Sequence, residues 1–144
     1  KLKPAGSVVF HGLRIEAGMP LYGIDISEDN LAQEVGRTKQ AISFTKGCYL
    51  GQEPIARIDA LGHVNRELCG LKLSTGSAPP PGRAVNSEDG SKEIGSITSS
   101  VLSPLDNTPF ALAYLKSQYL TPGTRVSIPI DDASIPATVF QPEA

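Results

Sequence analysis

The run Glu67-Leu68-Cys69-Gly70-Leu71-Lys72-Leu73-Ser74-Thr75-Gly76 carries the plainest structural signal in the chain. Leu68, Gly70 and Lys72 alternate with Cys69, Leu71 and Leu73, and the run stops at Ser-Thr-Gly. That is the period of a strand with two unlike faces, closed by a turn. The downstream sequence repeats the pattern. Arg83–Asn86 reads as a brief strand, and Glu88-Asp89-Gly90 holds the Asp-Gly pair of a hairpin turn. Glu93–Ser99 and Phe110–Leu115 read as further strands, Pro122-Gly123 as a turn, and Arg125–Ile130 and Ala137–Phe140 as the last two strands. Pro79-Pro80-Pro81-Gly82 makes a rigid connector. Several short strands at this spacing predict a small antiparallel barrel or sandwich.

Upstream the character changes. Nine of the 12 prolines lie after residue 64, and the first 63 residues read as helical or mixed. A helix is expected over residues 5–18, with Pro4 at its entrance and Val9, Leu13 and Ala17 forming one apolar face. Gly18 and Met19-Pro20 stop it. Ser27 is placed to cap a turn running to Glu34, and Gln40–Thr45 reads as a strand. A second helix is expected over residues 52–61, with Pro54 in its first turn, Ile55, Ile58 and Leu61 on one face, and Gly62 as its stop.

The 144 residues fit one domain or two parts of something larger. With 40% hydrophobic and 19% charged residues the chain can bury a core, which excludes a disordered or low-complexity protein. Lys+Arg at 13 against Asp+Glu at 15 argues against a nucleic-acid partner, which draws a basic excess. No apolar run is long enough to span a membrane. The opening Lys1-Leu2-Lys3-Pro4 lacks Met and any charged-then-apolar leader, and reads as the middle of a protein. Cys48 and Cys69 make no disulfide framework or zinc spacing, which suits a reducing compartment with two free thiols.

Two segments carry candidate chemistry. In Lys46-Gly47-Cys48-Tyr49-Leu50-Gly51-Gln52-Glu53, two glycines flank a thiol just ahead of a helix, with Lys46 two residues away. Such a setting favours the thiolate, against the alternative of a tight turn with a small buried hydrophobe. In Arg14-Ile15-Glu16-Ala17-Gly18, Glu16 falls at a helix C-terminus, the unfavourable end for a carboxylate. A partner outside the helix would explain it, as would simple solvation. Tyr22-Gly23-Ile24-Asp25 reads as a turn that can line a pocket. Arg57 and Asp59 read as a solvated helix face, and Cys69 as core.

These residues carry a resemblance. Residues 14–25 (RIEAGMPLYGID), then Ser43–Glu53 (SFTKGCYLGQE) and Ala56-Arg57, resemble the YgfZ-type folate-binding proteins, relatives of the glycine-cleavage T-protein, the aminomethyltransferase. Gly95–Ser100, Ser103-Pro104 and Ala111–Tyr114 resemble the C-terminal barrel of that superfamily. The resemblance implies an α+β fold: the end of a folate-binding lobe over 1–63, followed by a small antiparallel β-barrel over 64–144. It implies tetrahydrofolate as cofactor, with Glu16 accepting two N–H bonds from the pterin edge. It makes Cys48 the functional thiol, and Tyr22, Lys46 and Gln52 further binding positions. The T-protein's catalytic Asp has no counterpart among these residues. Leu61-Gly62 stands where the family often has Arg-Gly. The implied function is a folate-linked accessory role in iron–sulfur cluster assembly or repair, with iron–sulfur proteins or assembly factors as partners. One cysteine cannot hold a cluster alone, so transient thiol chemistry suits it better. The alternatives are a folate-dependent aminomethyltransferase or demethylase, or a segment serving only as an interaction module. The expected location is the bacterial cytoplasm, or the mitochondrion in a eukaryote. An apolar patch left open on the first part would favour self-association.

Overall fold

A computed structural model describes residues 6–131 and 133–141. Six strands, β1 (Arg66–Leu73), β2 (Ala84–Ser87), β3 (Glu93–Leu102), β4 (Pro109–Lys116), β5 (Arg125–Ile130) and β6 (Ala133–Phe140), close into an antiparallel barrel in the order β1-β4-β3-β2-β5-β6. Pairing of Gly70 with Phe140 and of Leu73 with Ala137 seals β1 to β6 and removes both sheet edges. Of the two architectures the strand spacing allowed, the barrel is the one formed.

The alternation read from Leu68–Leu73 sorts the two faces. Cys69, Leu71 and Leu73 enter the barrel core with Val85, Ile94, Ile97, Ala111, Ala113, Leu115, Val126, Ile128, Ala137 and Val139. The other face of β1 and β4 is covered too: Leu68, Leu112 and Tyr114 form a second cluster with Ile15. This double covering explains the unbroken apolar run on β4, which a strand wetted on one side would not show.

Ile15 belongs to α1 (Ser7–Glu16), the helix expected over 5–18; Pro4 and Ala5 lie outside the described residues. The expected inner face is corrected. Leu13 is 49% exposed and Ala17 is exposed, whereas Gly12, Arg14 and Ile15 are buried. The barrel selects that face by close approach: a Cβ at Gly12 would stand 2.9 Å from Pro104 Cδ. The expected strand at Gln40–Thr45 is also corrected. A 3₁₀ turn (Ala32–Val35) and the one-turn helix α2 (Thr38–Ala41) occupy this region, and residues 42–51 form turns without a strand partner. α3 (Gln52–Leu61) has the expected bounds, and left-handed Gly62 (φ 96°) stops it. Ile55 and Ile58 are half-buried; the Leu61 side chain lies outside the described residues.

Candidate functional site

Glu16 is the last residue of α1, where free backbone carbonyls already repel a carboxylate. Its Oε1 is buried and accepts no hydrogen bond, one of three such buried side-chain oxygens among the described residues, with Gln33 Oε1 and Tyr114 OH. It is the only carboxylate of the three. Glu16 is half-buried, and one carboxylate oxygen held from water without a donor costs about 1–3 kcal/mol. A ligand bringing N–H donors would relieve that cost.

Two residues away, Arg14 has what Glu16 lacks. Its Nη1 lies 2.6 Å from Asp25 Oδ2 and also donates to the Met19 carbonyl at 3.2 Å, while Nε donates to His11 Nδ1 at 3.1 Å. Asp25 Oδ2 accepts the Leu21 amide at 3.0 Å, and Oδ1 accepts the hydroxyls of Thr98 at 2.5 Å and Ser99 at 2.6 Å. The Arg14 and Asp25 side chains are 6% and 0% exposed, so this is a buried, fully donor-surrounded ion pair. In the sequence Asp25 reads only as part of a turn that can line a pocket. The Leu21 amide, four positions away, is the local partner of such a turn; the other three stand 11, 73 and 74 positions away, beyond any local period.

A second ion pair joins the first part of the chain to the barrel. Arg66 reaches Glu34 through Nε at 3.2 Å and through a second nitrogen at 3.4 Å, and its guanidinium lies 5.1 Å from the Tyr114 ring centroid.

The other candidate residues stand apart. Cys48 is exposed, in the turn segment ahead of α3. Lys46 Nζ lies 4.4 Å from the Tyr49 ring centroid. Tyr22 is 66% exposed, its hydroxyl 3.5 Å from Glu28 Oε1. Gln52 opens α3 and is half-buried. Among the described residues no side-chain hydrogen bond or ion pair joins Glu16 to any of these four. A cleft of about 350 Å³ between the segment Gly36–Gln40 and β1 is lined by Arg37, Lys39, Glu67, Leu68 and Leu112, and by none of the five candidates. Burial pushes the Glu67 carboxyl up from the usual carboxylate range. No group of three His, Cys, Asp or Glu among the described residues could hold a metal ion, and no described helix is long and apolar enough to cross a membrane.

The chain is thus an antiparallel β-barrel protein with a short helix packed on the outside of β1 and β4 and a buried, donorless carboxylate oxygen at that helix's end. Residues 66–143 match the glycine cleavage T-protein C-terminal barrel domain, and the chain belongs to that family. It is similar to a chloroplastic protein of Arabidopsis thaliana that carries the name of a transferase, at 36% identity over 94% of this chain and 30% of the relative. It is 35% identical to an aminomethyltransferase of Saccharopolyspora erythraea, over 96% of this chain and 37% of that one. The crystal structure of the glycine cleavage system aminomethyltransferase T from Bartonella henselae superposes with a TM-score of 0.80 at 26% identity, over 91% of this chain and 36% of that one. The chain thus spans about a third of the length of these curated relatives.

Proposed function

We propose that this chain is the C-terminal part of a folate-binding protein of the aminomethyltransferase type, with residues 1–63 contributing to the folate lobe. The observation that carries the reading is Glu16 Oε1, a buried carboxylate oxygen without a donor. The amino-pyrimidinone edge of a reduced pterin offers two adjacent N–H groups, the pattern a carboxylate accepts in bidentate fashion. Tetrahydrofolate, when bound, supplies the acceptor for a one-carbon unit. This chain's share is recognition: Glu16 holds the pterin edge, and Tyr22, Lys46 and Gln52 are proposed secondary contacts. The names of the bacterial relatives support an aminomethyl-transfer role for the full-length gene product.

Calorimetric titration of that product with tetrahydrofolate tests the reading. Binding that Glu16→Ala abolishes is the expected result, and a wild-type protein that does not bind overturns it.

A second reading is favoured by Cys48, exposed within Lys46-Gly47-Cys48-Tyr49-Leu50-Gly51-Gln52-Glu53. On it the protein is a YgfZ-type accessory factor for iron–sulfur proteins, and Cys48 performs thiol chemistry toward them. The two readings separate on Cys48→Ser. Loss of complementation of iron–sulfur enzyme activity favours the accessory role. Turnover of a methylamine donor with tetrahydrofolate, unaffected by Cys48→Ser, favours the transferase.

A further inference from the structure

We propose that Asp25 is a positioning residue for Glu16: it fixes the end of α1 against the barrel so that the Glu16 carboxylate is pre-aimed at its ligand. The proposal rests on the folate reading of Glu16. Three parts of the chain meet on this one carboxylate. The last turn of α1 arrives through Arg14, the loop behind it through the Leu21 amide, and β3 through the Thr98 and Ser99 hydroxyls.

The β3 contribution depends on an irregularity. Ile97 pairs with Ala113 and Ser99 with Leu112, so Thr98 is the extra residue of a bulge. In a regular strand Thr98 and Ser99 would point to opposite faces; the bulge turns both hydroxyls onto Asp25 Oδ1. Arg14 also donates to the Met19 carbonyl, and the Met19 amide donates back to the Arg14 carbonyl at 2.7 Å, closing the turn that contains Glu16. Glu16 itself makes no hydrogen bond through Oε1, so its aim depends on this backbone turn rather than on contacts of its own.

The chemistry of the cluster indicates the informative substitution. All four partners of Asp25 act as donors, and an asparagine offers only one acceptor oxygen. In Asp25→Asn the Thr98 and Ser99 hydroxyls can rotate and accept from the new amide, which keeps the barrel contact. The amide oxygen still accepts from Arg14 and the Leu21 amide, but Arg14 stays buried without a counter-charge, and the anchor of the turn that carries Glu16 is weakened.

The experiment is a double-mutant cycle on the full-length gene product, read by calorimetric titration with tetrahydrofolate, with thermal unfolding of every variant alongside. Asp25→Asn is expected to weaken binding about ten-fold, and Glu16→Gln by at least as much. Asp25→Asn added to Glu16→Gln is expected to cause no further loss, because Asp25 acts through Glu16. Ser99→Ala gives the same test from the barrel side if Asp25→Asn does not fold. Losses that multiply in the double variant, or wild-type affinity in Asp25→Asn, overturn the positioning role and leave the folate reading standing. A wild-type protein without affinity for tetrahydrofolate overturns both.

Discussion

At the scale of single residues, two cysteines divide by environment. Cys48 is exposed, while Cys69 is 3% exposed within β1 and its thiol faces the Ala113 carbonyl at 3.6 Å. A thiol-reactive dye is expected to label one cysteine per native chain quickly and the second only in denaturant; fast labelling of both would contradict the closed barrel. Burial, reinforced by the negative charge of Glu67, pushes the Cys69 thiol from an ordinary 9.0 up to about 12. Burial likewise raises the Tyr114 phenol from 10.0 to about 12, with Glu34 adding to it. In the unfolded chain both groups ionise near their ordinary values, so in alkali the native state holds more protons than the unfolded one. Stability is therefore fully present below about pH 9 and falls as the pH climbs toward 12, with Cys69 contributing about 1.4 kcal/mol per pH unit. Urea midpoints followed from neutral pH into alkali should decline, and more gently in Cys69→Ala. An equal decline in that variant would remove Cys69 as a source.

At the scale of elements, two strand glycines differ in what surrounds them. A Cβ on Gly70 would stand 2.3 Å from the Phe140 ring, its cross-strand partner, which packs edge-on against Phe110 at 5.8 Å. A ring can swing aside, so Gly70→Ala is expected to cost about 1–3 kcal/mol. A Cβ on Gly95 would stand 1.9 Å from the Tyr114 carbonyl oxygen, which belongs to the β3–β4 pairing itself. Gly95→Ala should exceed about 3 kcal/mol, because backbone has nowhere to yield within a paired sheet. Chemical unfolding of both variants checks the order, and a reversed order would mean that β4 can shift. The strands were legible because their apolar residues recur with a period of two. The face of α1 was not: Val9, Leu13 and Ala17 are regularly spaced, yet Gly12 and Ile15 are the residues that meet the barrel. A helical period identifies a stripe, and only the neighbour chooses which stripe is covered.

At the scale of the molecule, buried apolar side chains are unevenly shared. Among the described residues Ile15 is the only fully buried apolar side chain that precedes the barrel, whereas Val8, Phe10, Leu13, Met19, Tyr22, Ile24, Leu31, Phe44 and Leu50 are exposed. Residues 64–144 expressed alone are thus expected to unfold cooperatively with a dispersed amide spectrum, and residues 1–65 alone to stay unfolded. A folded 1–65 would show a core in that region independent of the barrel. The exposed side chains of α1 also make self-association of the 144-residue chain the expected behaviour in solution, reduced by Phe10→Lys. Sedimentation velocity of both forms checks this, and a monomeric wild type at high concentration contradicts it.

The local sequence determined what depends on short-range chemistry: strand alternation, the Asp-Gly turn, the helix ended by Gly62, and a family resemblance held in contiguous motifs. Glu16 stood out for the same reason, since a carboxylate at a helix C-terminus is locally ill-placed. The tertiary structure decided which residues meet across the chain. Closure of β1 on β6, the choice of inner face on α1, and the junction of Arg14 and Asp25 with Thr98 and Ser99 join residues far apart in the chain, Gly70 with Phe140 and Asp25 with Ser99 among them. Ion pairs and hydroxyl contacts of that kind have no period, and the bulge that aims Thr98 and Ser99 arises only when β3 pairs with β4.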